Sequence, residues 1–152
     1  MRTAIFPGSF DPYTKGHDSI ARRGLQLFDR IIIGVGINEK KKGIMAVEKR
    51  IQALKNLYRN EPRISVEAYS DLTVDFAKRK QADFILRGVR SHKDFEYELV
   101  IADVNKRLSG IETVILFTEP ELACISSTIV RELMHFGRDI TEFLPEGFTI
   151  EE

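Results

Sequence analysis

Cysteine is nearly missing from this chain. Cys124 is the only one in 152 residues, so no disulfide closes within the chain and no cysteine cluster can hold zinc. Neither sign of charge is in excess, with 23 basic residues against 23 acidic ones. That balance argues against bulk nucleic acid or an anionic membrane as the main partner. No apolar run approaches the ~20 residues of a membrane span, and runs such as Ile31-Ile32-Ile33 fall far short. The opening MRTAIFPGS has no apolar stretch of signal-peptide length, so a soluble cytoplasmic protein is expected. Repeats, low-complexity segments and flexible linkers are absent too, and the length fits one domain over residues 1–152. Two glycine signatures are missing as well: no G-x-x-x-x-G-K-[ST] occurs, and no G-x-G-x-x-G follows the first strand.

What is present is an alternation. Arg2 to Phe6 is a short apolar run ending in Pro7-Gly8, which reads as a buried strand and a turn. Asp18 to Phe28 has helical spacing, and Arg30 to Gly36 is β-branched along most of its length, as a strand covered on both faces should be. Helices are then expected over Val47–Tyr58, Leu72–Lys80, Phe95–Leu108 and Ser127–Phe136, with a short last one over Ile140–Leu144. Strands are expected over Arg63–Glu67, Asp83–Leu86 and Thr113–Phe117. Five strands alternating with helices predict an α/β fold with a doubly wound, five-stranded parallel sheet. Its ligands belong beyond the carboxyl ends of the strands.

The loops after those strands carry the chemistry. They contain Gly8-Ser9-Phe10 and Lys15-Gly16-His17, then Asn38-Glu39-Lys40-Lys41-Lys42, Ser70-Asp71-Leu72, Arg87-Gly88-Val89-Arg90, and a stretch ending Cys124-Ile125-Ser126-Ser127-Thr128. Helix N-termini attract anions, glycines admit close backbone approach, and arginine binds phosphate bidentately. Together the loops predict a site for several phosphates: a nucleoside triphosphate, or a nucleotide with a phosphorylated partner. Each piece also has a structural reading. Arg87 and Arg90 suit ion pairs, Ser126-Ser127-Thr128 suits a helix cap, the acids of Asp94-Phe95-Glu96-Tyr97-Glu98 suit the positive end of a helix, and Cys124 reads as a small core residue. Convergence on one sheet edge favours the site.

Thr14-Lys15-Gly16-His17 resembles the first signature of the nucleotidyltransferase superfamily in its T-x-G-H form, and Ile125-Ser126-Ser127-Thr128-Ile129-Val130-Arg131 matches the second, I-S-S-T-x-x-R. PGSFDPxTxGH, the Arg87–Arg90 turn, Asp94 to Glu98 and Phe143-Leu144-Pro145 resemble the phosphopantetheine adenylyltransferase family from Arg2 to about Pro145. The resemblance implies a Rossmann-like nucleotidyltransferase fold, usually hexameric, that uses magnesium. The implied reaction joins ATP and 4′-phosphopantetheine to give dephospho-coenzyme A and pyrophosphate, by direct in-line attack without a covalent enzyme intermediate. It also implies possible feedback binding of coenzyme A, with no nucleic-acid or membrane partner.

By that resemblance Ser9, Phe10, His17, Gly88, Val89, Arg90, Glu98 and Leu122-Ala123-Cys124-Ile125-Ser126-Ser127-Thr128 bind ATP. Ser9, Lys41, Thr73 and Arg87 bind phosphopantetheine, Thr73 through its backbone. His17, Lys41 and Arg90 are the catalytic set, with Lys41 assigned to within one position along Lys40–Lys42, and no protein metal ligand is named. Leu122 and Ala123 stand where the family often has an aromatic and a small polar residue. The alternatives are a nucleotidyltransferase for nicotinate mononucleotide or glycerol 3-phosphate, a nucleotide-binding regulatory module without chemistry, and a flavodoxin-like electron carrier. The missing tryptophan counts against the last.

Overall fold

The computed structural model describes residues 1–38, 40 and 43–150. Five strands, β1 (Thr3–Gly8), β2 (Arg30–Gly36), β3 (Ile64–Tyr69), β4 (Phe84–Val89) and β5 (Glu112–Phe117), form one parallel sheet in the order β3-β2-β1-β4-β5. Between them run α1 (Lys15–Gly24), α2 (Val47–Leu57), α3 (Thr73–Arg79) and α4 (His92–Ser109), and α5 (Ser127–His135) follows β5. Right-handed crossovers force this layout. Moving outward from β1 through β2 to β3 puts α1 and α2 on one face. Crossing back to β4 and on to β5 puts α3 and α4 on the other. The two cores agree: Ile20, Ala21, Leu54 and Tyr58 pack with Phe6, Ile31 and Ile33, while Val74, Phe76 and Ala77 pack with Ile5, Ile32 and Ile85. The strand order reverses between β1 and β4, and that split is where a doubly wound sheet opens a crevice.

The expected elements are present, with shifted ends. β1 runs on to Gly8 and β4 to Val89, so Arg87, Gly88 and Val89 lie on a strand rather than in the loop beyond it. α1 begins at Lys15, because Thr14 caps it, and stops at Gly24, where turns carry the chain to Phe28. α4 begins at His92 under a Ser91 cap. A 3₁₀ turn over Pro120–Leu122 was not expected, and the final helix is a 3₁₀ turn over Thr141–Phe143. Cys124 is exposed, not core, since it sits in the surface turn that follows that first 3₁₀ segment. Among the described residues, no helix is long and apolar enough to cross a membrane.

Candidate active site

A cleft of about 390 Å³ opens at the switch point, over the carboxyl ends of β1 and β4 and the N-termini of α1 and α5. Its floor is the exit from β1. A Cβ on Gly8 would stand 2.8 Å from the Phe10 ring, so only glycine lets that ring fold back under the strand end. Phe10 itself has φ of +49°, a left-handed conformation that a buried phenylalanine adopts only when its surroundings impose it.

Three arginines from three elements impose it. Arg87 of β4 donates to the Pro7 carbonyl at 2.5 Å, Arg50 of α2 to the Ser9 carbonyl at 2.7 Å, and Arg131 of α5 to the Asp11 carbonyl at 2.8 Å. The tethers fall on alternate residues. A trans peptide points its C=O and N–H in opposite directions. Pulling the Ser9 carbonyl toward Arg50 therefore turns the Phe10 N–H away from Arg50, and that N–H has no protein acceptor among the described residues, while Phe10 itself lines the cleft. Asp11 completes the clamp. Its buried carboxylate accepts from the Ile44 and Met45 N–H groups at 3.0 and 3.3 Å and lies 3.9 Å from the Arg50 Nε.

His17 stands at the third position of α1. The Thr14 N–H donates to its Nδ1 at 3.0 Å, in a capping box where histidine replaces the usual glutamate. An Nδ1 that accepts leaves the proton of a neutral ring on Nε2. The ring is neutral: burial first, then the positive charges of Arg87 and Arg90, push its pKa from the ordinary 6.5 down to about 3. Tyr13 stacks on it with centroids 5.2 Å apart, and Phe10 meets it edge-on at 5.0 Å. Tyr13 is in turn fixed by its hydroxyl, 2.6 Å from that of Tyr58, which donates to Asp18 at 2.6 Å. His17 is thus an oriented N–H donor and not a proton acceptor at neutral pH.

The far wall is the start of α5. Ser126 caps it by accepting from the Ile129 N–H at 3.1 Å, and the Ser127 hydroxyl donates to the Pro12 carbonyl at 2.8 Å, so the helix end is docked against the first loop. The Arg131 Nη2 also donates to the Thr128 hydroxyl at 3.2 Å. This accounts physically for the arginine at the end of I-S-S-T-x-x-R: it ties the second signature to the loop that leads into the first.

Arg87 divides the site. Its Nε and Nη2 grip the buried Glu98 carboxylate at 3.0 and 2.6 Å, and its Nη1 holds Pro7. Two of its five N–H groups remain for a ligand. Beyond it a second cavity of about 260 Å³ runs under α4, shared through Pro7, Gly8 and Arg87. Arg90 is held less tightly, with Nε 3.4 Å from Asp94.

The comparisons with known proteins fit this geometry. A family model described as cytidylyltransferase-like matches residues 5–133. A protein of Phocaeicola vulgatus named phosphopantetheine adenylyltransferase is 57% identical over 151 residues, spanning 99% of this chain and 100% of its own length. Proteins of the same name from Bacteroides thetaiotaomicron, 57% identical with 99% of each chain covered, and Flavobacterium johnsoniae, 45% identical with 100% of each covered, match as fully. The chain belongs to the phosphopantetheine adenylyltransferase family.

It is therefore a nucleotidyltransferase. The fold also matches a crystal structure of a bifunctional NMN adenylyltransferase/ADP ribose pyrophosphatase from Francisella tularensis, complexed with AMP and a manganese ion. The TM-score is 0.68 at 16% identity, over 94% of this chain and 44% of that longer one.

Of the residues expected from the phosphopantetheine adenylyltransferase motifs, Ser9, Phe10, His17, Arg87, Gly88, Arg90, Ile125, Ser126, Ser127 and Thr128 all line the main cleft. Thr73 and Glu98 line the second cavity instead. Val89 is buried at the end of β4 and lines neither. Leu122, Ala123 and Cys124 lie in the 3₁₀ turn and the residues after it, outside the cleft lining. Lys41 lies outside the described residues. Sequence reasoning quoted Asp11 and Thr14 within the motifs but gave them no role of their own, and it missed Arg50. The available signal for Arg50 was its place one turn before Leu54, on the face of α2 that packs inward. Among the described residues, no group of three or more His, Cys, Asp or Glu side chains is placed to hold a metal.

Proposed function

We propose that the chain transfers the adenylyl group of ATP to 4′-phosphopantetheine, giving dephospho-coenzyme A and pyrophosphate. The observation that carries this reading is the neutral His17, with its proton on Nε2, set in a cleft walled by Arg87, Arg90 and a helix N-terminus. Among the described residues the cleft lining has donors and cations but no carboxylate base, and the reaction needs no base. The acceptor phosphate already bears a nucleophilic oxygen. That oxygen attacks the α-phosphorus in line, a new P–O bond forms, the bond from the α-phosphorus to the bridging oxygen breaks, and pyrophosphate takes the electron pair.

The protein's contribution is positioning and charge stabilisation. His17 Nε2–H and the Phe10 N–H donate to α-phosphate oxygens as charge builds on the five-coordinate phosphorus. Arg87, steadied by Glu98, holds the acceptor phosphate with Ser9 and Lys41. Glu98 thus acts on the ligands through Arg87. Arg90, Ser127, Thr128 and the first N–H groups of α5 receive the β- and γ-phosphates. Gly88 and Val89, with the Leu122–Ile125 segment, border the nucleoside. Thr73 faces the acceptor's arm from the second cavity. Magnesium, carried on the triphosphate oxygens and water, would neutralise charge on the leaving group. The donor set fits that arrangement, since the cleft offers cations and hydroxyls rather than a carboxylate cluster.

A hexamer of this chain, cytoplasmic, is part of the same reading. The outer face of α4 supports it: Leu99, Val100, Val104 and Leu108 are between 45% and 62% exposed, a larger apolar strip than a lone surface helix presents. Coenzyme A, which contains both the acceptor's arm and an adenosine, would compete for the same subsites.

The test is pyrophosphate release with ATP and magnesium, with and without 4′-phosphopantetheine. Release that depends on the acceptor is the expected result. Release driven equally by nicotinate mononucleotide or glycerol 3-phosphate would move the acceptor assignment, and ATP binding without any release would favour a regulatory module.

A further inference from the structure

The first loop is held by α2 at two points. Near the start of the helix Arg50 holds the Ser9 carbonyl, and at its C-terminal cap Tyr58 reaches Tyr13. The two anchors are about 12 Å apart along the helix, so α2 braces the loop at both its ends. The Arg50 anchor acts on the backbone. The Tyr58 anchor acts on a side chain, the Tyr13 ring that stacks on His17 with an interplanar angle of 29°. That ring is fully buried, and a phenylalanine would fill the same space without needing a partner for a hydroxyl.

The hydrogen bonds run in one direction. Tyr58 gives its proton to the Asp18 carboxylate at 2.6 Å, and an ionised carboxylate only accepts. A phenol has one proton, so the Tyr58 oxygen accepts from Tyr13, 2.6 Å away. Burial pushes both phenols above their ordinary pKa, so both protons stay in place. Arg22 closes the outer end. Its Nε donates to both Asp18 oxygens at 3.0 and 3.1 Å, and its guanidinium lies over the Tyr58 ring, 5.1 Å from the centroid. The His17 ring depends on this chain. Its Nδ1 bond to the Thr14 N–H fixes one atom and leaves the ring plane free to roll. Nε2 lies off the Cβ–Cγ axis, so any roll swings the donor. Phe10 meets the ring by an edge, at 84°, whereas Tyr13 covers its face and sets its plane.

We propose that Tyr58 is a positioning residue for the transfer: through the Tyr13 hydroxyl it fixes the ring on which His17 stacks, and so aims the Nε2–H donor. This rests on the reading above, in which that donor meets the α-phosphate oxygens. The aim matters as charge builds in the transition state, so loss of the tether shows in kcat while both KM values stay.

The experiment compares wild type with Tyr58→Phe, with Tyr13→Phe, and with the variant that carries both changes. All three keep both rings and remove only hydroxyls. Steady-state pyrophosphate release gives kcat and the KM values for ATP and 4′-phosphopantetheine, and a melting curve without ligands gives stability. Expected for Tyr58→Phe is a kcat lowered about tenfold, part of the ~10²-fold that the whole donor supplies. Its KM values should be unchanged and its Tm lowered, since the Tyr13 hydroxyl is left buried without an acceptor. Tyr13→Phe should lose kcat by the same factor. The double variant removes the orphaned hydroxyl and should recover part of the Tm, yet its kcat should stay as low as in either single variant, because one tether is lost only once. A kcat that returns with the Tm in the double variant would overturn the assignment and leave the hydroxyl pair a structural contact. An unchanged kcat in Tyr13→Phe would overturn it equally, even where Tyr58→Phe fails to fold. Wild type that releases no pyrophosphate on adding the acceptor would bring down the functional reading and this assignment with it, a failure visible before any variant is compared.

Discussion

His17 is the residue on which chemistry and pH behaviour meet. Its Nδ1 is occupied by a backbone N–H and its ring is kept neutral down to about pH 3, so Nε2–H is present across the working range. Replacing it with alanine removes a preorganised donor, and turnover should fall about 10²-fold or more while ATP affinity changes little; equal losses in kcat and in ATP binding, measured by calorimetry, would refute the transition-state role. The same ring has a signature in folding. An unfolded histidine protonates near 6.5, while His17 in the fold resists until about 3. Between those values the unfolded chain binds the extra proton, so this residue lowers stability progressively as pH falls from 6.5 toward 3 and has no effect on the pH slope above 6.5. His17→Asn cannot titrate. Its urea midpoints should therefore fall less steeply than those of wild type between pH 6.5 and 4, and parallel lines would contradict the buried neutral ring. The sequence made His17 legible as the tip of a phosphate loop, because glycine and a helix start precede a polar side chain there. It did not make the tautomer legible. That depends on the Thr14 N–H and on the Tyr13–Tyr58–Asp18 chain, whose members are up to 45 residues apart.

At the scale of elements, alternation told nearly everything about order and little about ends. β-branched runs and helical spacing fix which segments lie where. Whether β4 stops at Leu86 or runs to Val89 depends on β5 pairing alongside it, from Phe84 with Glu112 to Val89 with Phe117, and no local pattern encodes that partner. The clamp on the first loop was hidden for the same reason. Arg50 reads as one more charge in a charged helix, yet it is buried and bonded to Met45 and Ser9, beside Asp11. Arg50→Met would leave the Asp11 carboxylate buried with its cation gone, and should cost about 3–5 kcal/mol in chemical denaturation. Turnover of the surviving folded enzyme should fall as well, since the Ser9 carbonyl is freed and the Phe10 N–H loses its orientation. Full activity per folded molecule would mean that the tether is only structural. A contrasting change lies at the other end of the fold. Gly110 ends α4 with φ of +78°, and open space surrounds the position a Cβ would take. Gly110→Ala should therefore cost about 1 kcal/mol from backbone strain alone, with kcat and both KM values unchanged.

Across the whole molecule, the largest mismatch between sequence and solvent is on α4. This helix has 18 residues, and Glu98 is its one buried residue. Val100, Val104 and Leu108 recur every four residues, forming one stripe, and are 62%, 45% and 60% exposed. Leu99 and the aromatic Tyr97 widen it. Burying such a stripe against copies of itself removes apolar surface at about 25 cal/mol per Å², whereas a monomer leaves it in water beside the open edge of β5. The inward side of the same helix carries Glu98 and Asn105 and walls the second cavity, so on the proposed reading the stripe bears on acceptor binding as well. A helix that barely packs on its own sheet becomes rigid when its outer face is covered. On the hexamer proposed above, wild type should sediment as six copies of 17.4 kDa, with a Tm that rises with protein concentration. Val100→Glu with Val104→Glu puts two like charges into each copy of that contact, and should shift the sedimenting species toward monomer. The acceptor KM should rise in the same variant more than the ATP KM, since the cavity under α4 loosens while the α1 and α5 walls of the main cleft stay. A monomeric wild type would reject the assembly outright, and a dissociated variant with an unchanged acceptor KM would separate assembly from the cavity it is argued to support.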